Sequence, residues 1–98
     1  MASGTSYEIE IRNIHLGAVL NEKSSSMGAA KRIQLGCRDA DDQPVGFRMS
    51  VIAGGTNTGP YINIAAGSVF FEADIDFSQK LYFASKTENA VVEIMIWR

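Results

Sequence analysis

The sequence predicts an all-β domain, either an antiparallel β-sandwich or a jelly-roll-like small barrel, with about eight short strands. Apolar and polar residues alternate with a period of two along most of the chain, which is typical of half-buried strands. Turn-forming residues recur every ~8–12 positions, the spacing expected of such folds. Residues 1–5 are expected to form a flexible arm and residues 6–98 a single domain, because a chain of this length suffices for one two-layer core.

The first third of the chain predicts two strands and a loop. In YEIEIRNI, Tyr7, Ile9 and Ile11 alternate with charged residues, so we expect these three to face the core. HLGAVL predicts a weaker strand around Gly17. The small polar residues of NEKSSSMGAA predict a loop, because its glycine and serines disfavour a helix.

Two strands flank a turn in the middle of the chain. KRIQLGCRD and VGFRMSVI alternate again, and DADDQP between them is rich in residues that favour turns. The residues that we expect to face the core are apolar and two positions apart: Ile33, Leu35, Cys37, Val45, Phe47, Met49 and Val51.

The second half of the chain predicts a loop and four strands. AGGTNTGP is expected to be a loop, and YINIAAG a short strand closed by Gly67. SVFFEADIDF and KLYFAS read as strands joined by a tight turn at SQ. KTEN then turns the chain into the final strand, NAVVEIMIWR.

Composition argues against several classes of function. The net charge is −2 and the only basic pair is Lys31-Arg32, so we expect neither nucleic acid nor a membrane as a partner. The single cysteine, Cys37, cannot form an internal disulfide. The sequence has no apolar run of roughly 18 residues and no signal-peptide pattern, so we expect synthesis in a reducing cytoplasm.

The last strand is apolar on both faces. One face carries aliphatic residues at positions 92, 94 and 96, and the other, interrupted by Glu93, carries Val91, Met95 and Trp97. Because a two-layer sandwich covers one face of each sheet, the second face needs another cover. Either the NEKSSSMGAA segment or the N-terminal arm folds across it, or a second copy of the protein does. In the second case the expected interface residues are Val91, Met95, Trp97 and Phe71.

Residues suited to catalysis or metal binding are few. His15 is the only histidine and no nucleophile motif surrounds it, so we expect no His-based catalytic triad, no metal and no cofactor. Glu72, Asp74 and Asp76 alternate along one strand and therefore share a face. A small hydrolase that uses Asp74 and Asp76 is one alternative function, and a solvated acidic face opposite lysines is the simpler interpretation.

The loop AGGTNTGP and the tyrosine after it form a candidate ligand site. The loop lacks the Lys-Ser/Thr pair of a phosphate-binding loop, so its glycines are expected to serve tight turns. Loops at the tip of a sandwich also bind sugars, and a tyrosine ring can stack on one. A carbohydrate-binding module is therefore the other alternative function, with candidate residues Gly54, Gly55, Asn57 and Tyr61.

The C-terminal third, IAAGSVFFEADIDFSQKLYFASKTENAVVEIMIWR, resembles small bacteriophage virion structural proteins of the capsid decoration, cement or head-fibre type. In that family a glycine-opened strand leads to an acidic x-I-D-F strand, a K-L-Y-F-x-S strand and a final V-x-V-x-I-x-W strand, of which this chain has Val91 and Trp97. The resemblance implies a non-enzymatic β-sandwich that is part of the virion and is released by lysis. It also implies a homo-oligomer, often a trimer, that binds the major capsid protein or another virion protein.

Overall fold

The structure is a computed structural model that describes residues 8–72 and 79–98. These residues form eight strands and one helical turn, which confirms the predicted all-β class. In chain order the elements are β1 (Ile9–His15), β2 (Lys23–Ser26), β3 (Arg32–Arg38), β4 (Phe47–Ser50), α1 (Gly55–Thr58), β5 (Ile62–Ile64), β6 (Phe70–Glu72), β7 (Lys80–Ala84) and β8 (Val91–Trp97). No helix in the described part of the chain is long and apolar enough to cross a bilayer.

The strands form two four-stranded antiparallel sheets packed face to face. Sheet A has the order β1-β8-β3-β6, and sheet B has the order β2-β7-β4-β5. The first strand pairs with the last, the second with the seventh, the third with the sixth and the fourth with the fifth. The chain is thus a long two-stranded ribbon wrapped on itself, and wrapping creates the further pairs β3–β8 and β4–β7. This connectivity is that of a jelly roll.

The core lies between the two sheets and is built from alternate residues of the inner strands. β8 contributes Val92, Ile94 and Ile96, and the rings of Phe47 and Phe83 lie 6.3 Å apart in the same core. Six of the seven residues expected inward on the two middle strands are confirmed there, with Val45 at the margin. The prediction for Val51 is wrong: β4 ends at Ser50, and Val51 is 54% exposed beyond it.

The prediction for β1 is wrong, because this strand presents its apolar residues to the outside. Ile9 and Ile11 are 55% and 70% exposed, whereas the alternate residues Glu10, Arg12 and Ile14 are partly buried. The physical reason is that β1 is the edge strand of sheet A and lies against β2, whose sequence is KSSS. A polar edge strand complements charged residues better than isoleucines. Tyr7 lies outside the described residues.

Arg12 and Glu10 connect the two sheets at this edge. The Arg12 guanidinium donates to Ser25 Oγ at 2.7 Å and to the Ser26 carbonyl oxygen. Glu10 accepts hydrogen bonds from Arg12 and, at 2.7 Å, from Arg98 Nη1. The network closes the side of the sandwich that the hydrophobic core does not reach.

Three further segments differ from the sequence predictions. HLGAVL forms a turn, not a strand, with Gly17 and Leu20 at positive φ and Leu16 buried. Part of the predicted loop NEKSSSMGAA forms β2, because its backbone pairs with β7 at the edge of sheet B. The predicted loop AGGTNTGP contains the helical turn α1.

Candidate interaction surface

The outward face of sheet A carries a group of apolar side chains, here named the outer patch. Its members are Ile9, Ile11, Val69, Phe71, Met95 and Trp97. Strand pairing brings them together, because Ile9 lies opposite Trp97 and Ile11 lies opposite Met95. Across β3, Gln34 lies between Met95 and Phe71. The patch therefore reaches from β1 to β6, and the polar Gln34 of β3 interrupts it.

The members of the outer patch differ in exposure according to their position in the sheet. Phe71 is 51% exposed on the edge strand β6, and Ile9 and Ile11 are exposed on the edge strand β1. Met95 and Trp97 lie on a central strand and are half-buried between their neighbours. Exposed apolar groups that cluster in this way are characteristic of protein-protein interfaces.

Two of the predicted interface residues have specific surroundings. The guanidinium carbon of Arg32 lies 5.5 Å from the centre of the Trp97 ring, a cation–π geometry that covers part of the indole. Val91 faces outward by alternation with Val92 but is only 4% exposed. Val91 therefore offers little contact area to a partner, and of the four predicted interface residues only Phe71, Met95 and Trp97 are accessible.

Sequence reasoning missed Ile9, Ile11 and Val69 as surface residues. The alternation of YEIEIRNI predicts two faces for β1 and favours the isoleucine side for the core. One signal in the sequence opposed that assignment: KSSS, the later partner of β1 across the sandwich, has no apolar side chain to cover an isoleucine.

A polar rim lies at one end of the outer patch. Arg38 Nε contacts Glu93 at 3.1 Å, and Arg38 Nη1 contacts Asp42 at 3.2 Å. Both acidic partners are well exposed, so these ion pairs contribute little to stability. An apolar centre beside a charged rim is the usual anatomy of a protein interface.

A shallow depression of about 280 Å³ opens in the outer patch above Gly36. Ile11, Val69 and Met95 contribute to its walls. Gly36 creates the space, since a Cβ atom added there would meet no atom within 4 Å. The depression has room for a side chain inserted from a partner.

The outward face of sheet B is covered in part by α1, which packs on β4 and β7. The Glu22 carboxylate accepts hydrogen bonds from the backbone N–H groups of Gly54 at 2.7 Å and Thr56 at 3.2 Å, and from the Thr56 hydroxyl. Arg48 Nη1 donates to the Thr56 carbonyl oxygen at 2.9 Å. These contacts hold α1 against the sheet, and Thr56 is fully buried. The two outward faces of the sandwich therefore differ.

The candidate sugar site coincides with this internally bonded segment. The N–H of Gly54 is already used by Glu22, and Gly55 packs so closely on Ser50 that a Cβ atom would lie 2.1 Å from its Oγ. Asn57 is exposed. The Arg48 guanidinium carbon lies 4.5 Å from the centre of the Tyr61 ring and occupies one ring face.

The candidate catalytic residues are not brought into a site by the described residues. Asp74 and Asp76 lie outside them, so the hydrolase alternative stays a prediction. Glu72 is exposed at the end of β6, and His15 is exposed at the end of β1. Within residues 8–72 and 79–98, no group of three or more His, Cys, Asp or Glu side chains could hold a metal ion.

Comparisons of the chain with protein-family models, curated proteins and solved structures find no match. The functional proposal therefore depends on the geometry of this molecule and on the sequence resemblance of residues 64–98.

Proposed function

We propose that the protein is a non-enzymatic structural subunit of a virion, a capsid decoration or cement protein or a head or tail accessory protein, that assembles through the outer patch. The observation that carries this proposal is the exposure of Ile9, Ile11 and Phe71 on one face of sheet A, whereas α1 covers part of the outward face of sheet B. Apolar area of this kind is stabilised by burial against a partner.

The size of sheet A is suitable for such an interface. Three strands of seven residues, spaced ~4.8 Å apart and rising ~3.4 Å per residue, give a face of roughly 14 × 24 Å in plan, which the three residues of β6 extend. Side-chain relief increases the accessible area of that face toward the ~800 Å² that each partner contributes to a standard interface. A homo-oligomer, with a trimer implied by the resemblance, and the major capsid protein are the partners that we propose.

The fold is compatible with this function but does not select it. Jelly rolls occur in viral capsid proteins and in lectins alike, so architecture alone does not separate assembly from sugar binding. The outer patch favours assembly. Two contacts weaken the carbohydrate alternative. The Gly54 N–H already donates a hydrogen bond to Glu22, and the Arg48 guanidinium covers one face of the Tyr61 ring.

Sedimentation of a lysate from cells that produce virions tests the virion assignment. We expect the protein to co-sediment with particles, and Phe71→Asp to reduce the bound fraction at least severalfold. Val19→Asp is the matched control, because Val19 is also exposed (52%) but lies in the turn between β1 and β2, away from the outer patch. Particles that carry no copy of the protein would contradict the assignment.

A glycan array tests the carbohydrate alternative. Specific binding that is lost in Tyr61→Ala, with no effect of Phe71→Asp, would replace the virion proposal by a sugar-binding function. The assembly proposal predicts no specific binding to any glycan on the array.

A further inference from the structure

The outer edge of β1 has backbone groups that form no hydrogen bond with the residues that the structure describes. Glu8 and Arg98 exchange both backbone hydrogen bonds, and Leu16 N–H donates to the Ala90 carbonyl oxygen. Hydrogen bonding to β8 therefore uses the even-numbered residues of β1, because alternate residues of an edge strand point their N–H and C=O groups to opposite sides. The N–H and C=O groups of Ile9, Ile11, Asn13 and His15 point away from β8. These groups are here named the β1 edge.

The β1 edge lacks most features that prevent strand addition. β1 has seven residues in continuous register with β8, from Ile9 opposite Trp97 to His15 opposite Val91, and contains neither proline nor lysine. Within the described residues, no hydrogen bond to the N–H groups of the β1 edge is found. The one protective feature is the pair of inward charges, Glu10 and Arg12, since an incoming strand would have to accommodate them.

The order of Glu10 and Arg12 along β1 favours one register for the pairing of two β1 strands. In an antiparallel pair of two β1 strands about a two-fold axis, the residue on the axis decides which side chains face each other. An axis at Arg12 places Arg12 opposite its own copy, so like charges repel. An axis at Glu10 pairs Arg12 with Glu8 of the other copy, but it also places Glu10 opposite its own copy, so this register keeps a repelling pair. An axis at Ile11 places Glu10 of each copy opposite Arg12 of the other, so opposite charges attract.

We propose that the β1 edge pairs antiparallel with the β1 edge of a second copy, with the two-fold axis at Ile11. Ile11 then exchanges two backbone hydrogen bonds with its own copy, and Ile9 exchanges two with Asn13 of the second copy. The two A sheets become one eight-stranded sheet. This proposal rests on the proposed assembly function and specifies the partner and the register.

The pairing also joins the two outer patches. Ile9 and Ile11 project from the same face as Met95 and Trp97, and they lie beside the two-fold axis. The outer patches of the two copies therefore become continuous across the axis. The dimer presents a double-sized apolar face, which is suited to a larger partner such as a capsid surface.

Amide hydrogen exchange of the native protein tests the pairing. The N–H groups of Ile9, Ile11 and Asn13 should exchange roughly 10-fold or more slowly at high protein concentration than at a concentration where the protein is monomeric. Slow exchange that does not depend on concentration would show that the chain's own residues cover the edge, and would overturn the pairing. An oligomer in which these amides exchange rapidly would also overturn it, yet would leave assembly through the outer patch intact. A monomer at all concentrations would contradict both.

Asn13→Pro provides a second test, with Asn13→Ala as its matched control. Proline removes an N–H that points away from β8, so the β1–β8 ladder is retained. We expect Asn13→Pro to weaken dimerisation at least 10-fold while Asn13→Ala, which keeps the N–H, leaves it within about threefold. Equal dimerisation constants for two folded variants would overturn the pairing. If Asn13→Pro does not fold, the exchange measurement on the unmodified chain still decides.

Discussion

Ile11 lies directly opposite Met95 in the β1–β8 ladder, and both side chains project from the outward face of sheet A. This relationship follows from the polar inner side of β1. Glu10 and Arg12 face the second sheet. Ile9 and Ile11, which alternate with them, must therefore face outward, where they meet the outward apolar side of β8. The outer patch is thus a consequence of how the polar edge of the sandwich is closed.

A substitution at Gly36 tests whether the depression in the outer patch must stay open for assembly. Gly36→Val adds a side chain to the depression, where a Cβ atom meets nothing within 4 Å, so we expect the fold to be retained. Assembly should weaken at least 10-fold, because the added side chain occupies space that a partner needs. Analytical ultracentrifugation measures the change, with Ala53→Val, on an exposed turn before α1, as the control. Unchanged association would exclude Gly36 from the interface.

Substitution of Glu22 tests whether its hydrogen bonds hold α1 against sheet B. Its carboxylate accepts three hydrogen bonds from Gly54 and Thr56, so Glu22→Ala leaves buried donors without a partner. We expect a loss of roughly 1–3 kcal/mol in the free energy of unfolding. Urea denaturation measures it, and Glu88→Ala, in the exposed turn before β8, should change stability by less than about 0.5 kcal/mol. Similar losses in both variants would contradict the role of Glu22.

Glu10 predicts an acid dependence of stability. Hydrogen bonds from Arg12, and then from Arg98, lower the pKa of Glu10 from about 4.5 to about 2. A lowered pKa in the folded state stabilises the protein fully above pH 4.5, and this contribution is lost as the pH falls toward 2. We therefore expect Glu10→Gln to lose less stability than the unmodified protein between pH 5 and pH 2 in urea titrations. Parallel curves for the two proteins would show that Glu10 does not contribute.

The burial of Cys37 predicts that its thiol reacts slowly with thiol reagents in the native protein. The side chain is buried between the sheets, and this burial raises the pKa of the thiol to about 11. Because the thiolate is the reactive form, we expect a thiol reagent at pH 8 to label the native protein at least 100-fold more slowly than the protein in denaturant. Comparable rates under the two conditions would place Cys37 at the surface.

The sequence was sufficient to predict the fold class and the inner faces of the central strands. β3 and β8 have apolar residues at alternate positions and pair with each other in the centre of sheet A, so pattern and burial agree. The prediction of the inward face of β1 is wrong because alternation identifies two faces of a strand but does not say which one meets the core. Which face of β1 meets the core depends on β2, and β2 lies against β1 only in the folded sandwich.

The candidate surface was predictable only in part for the same reason. Met95, Trp97 and Phe71 were found because β8 and the Phe70-Phe71 pair are apolar on both sides, a local property. Ile9 and Ile11 join them through strand pairing. The cover of sheet B was also missed, because Glu22 lies more than thirty residues before Thr56 and no local pattern connects them.

Solution mass by light scattering tests self-assembly, the central claim about this protein, most directly. The chain has a mass of 10.6 kDa, and we expect the native protein at micromolar concentration to show at least twice that value. Ile11→Asp should return the mass to that of a monomer without unfolding, because Ile11 is the most exposed large apolar residue of the described chain, and Val19→Asp should leave the mass unchanged. A native protein that stays at 10.6 kDa under these conditions would contradict self-assembly through the outer patch.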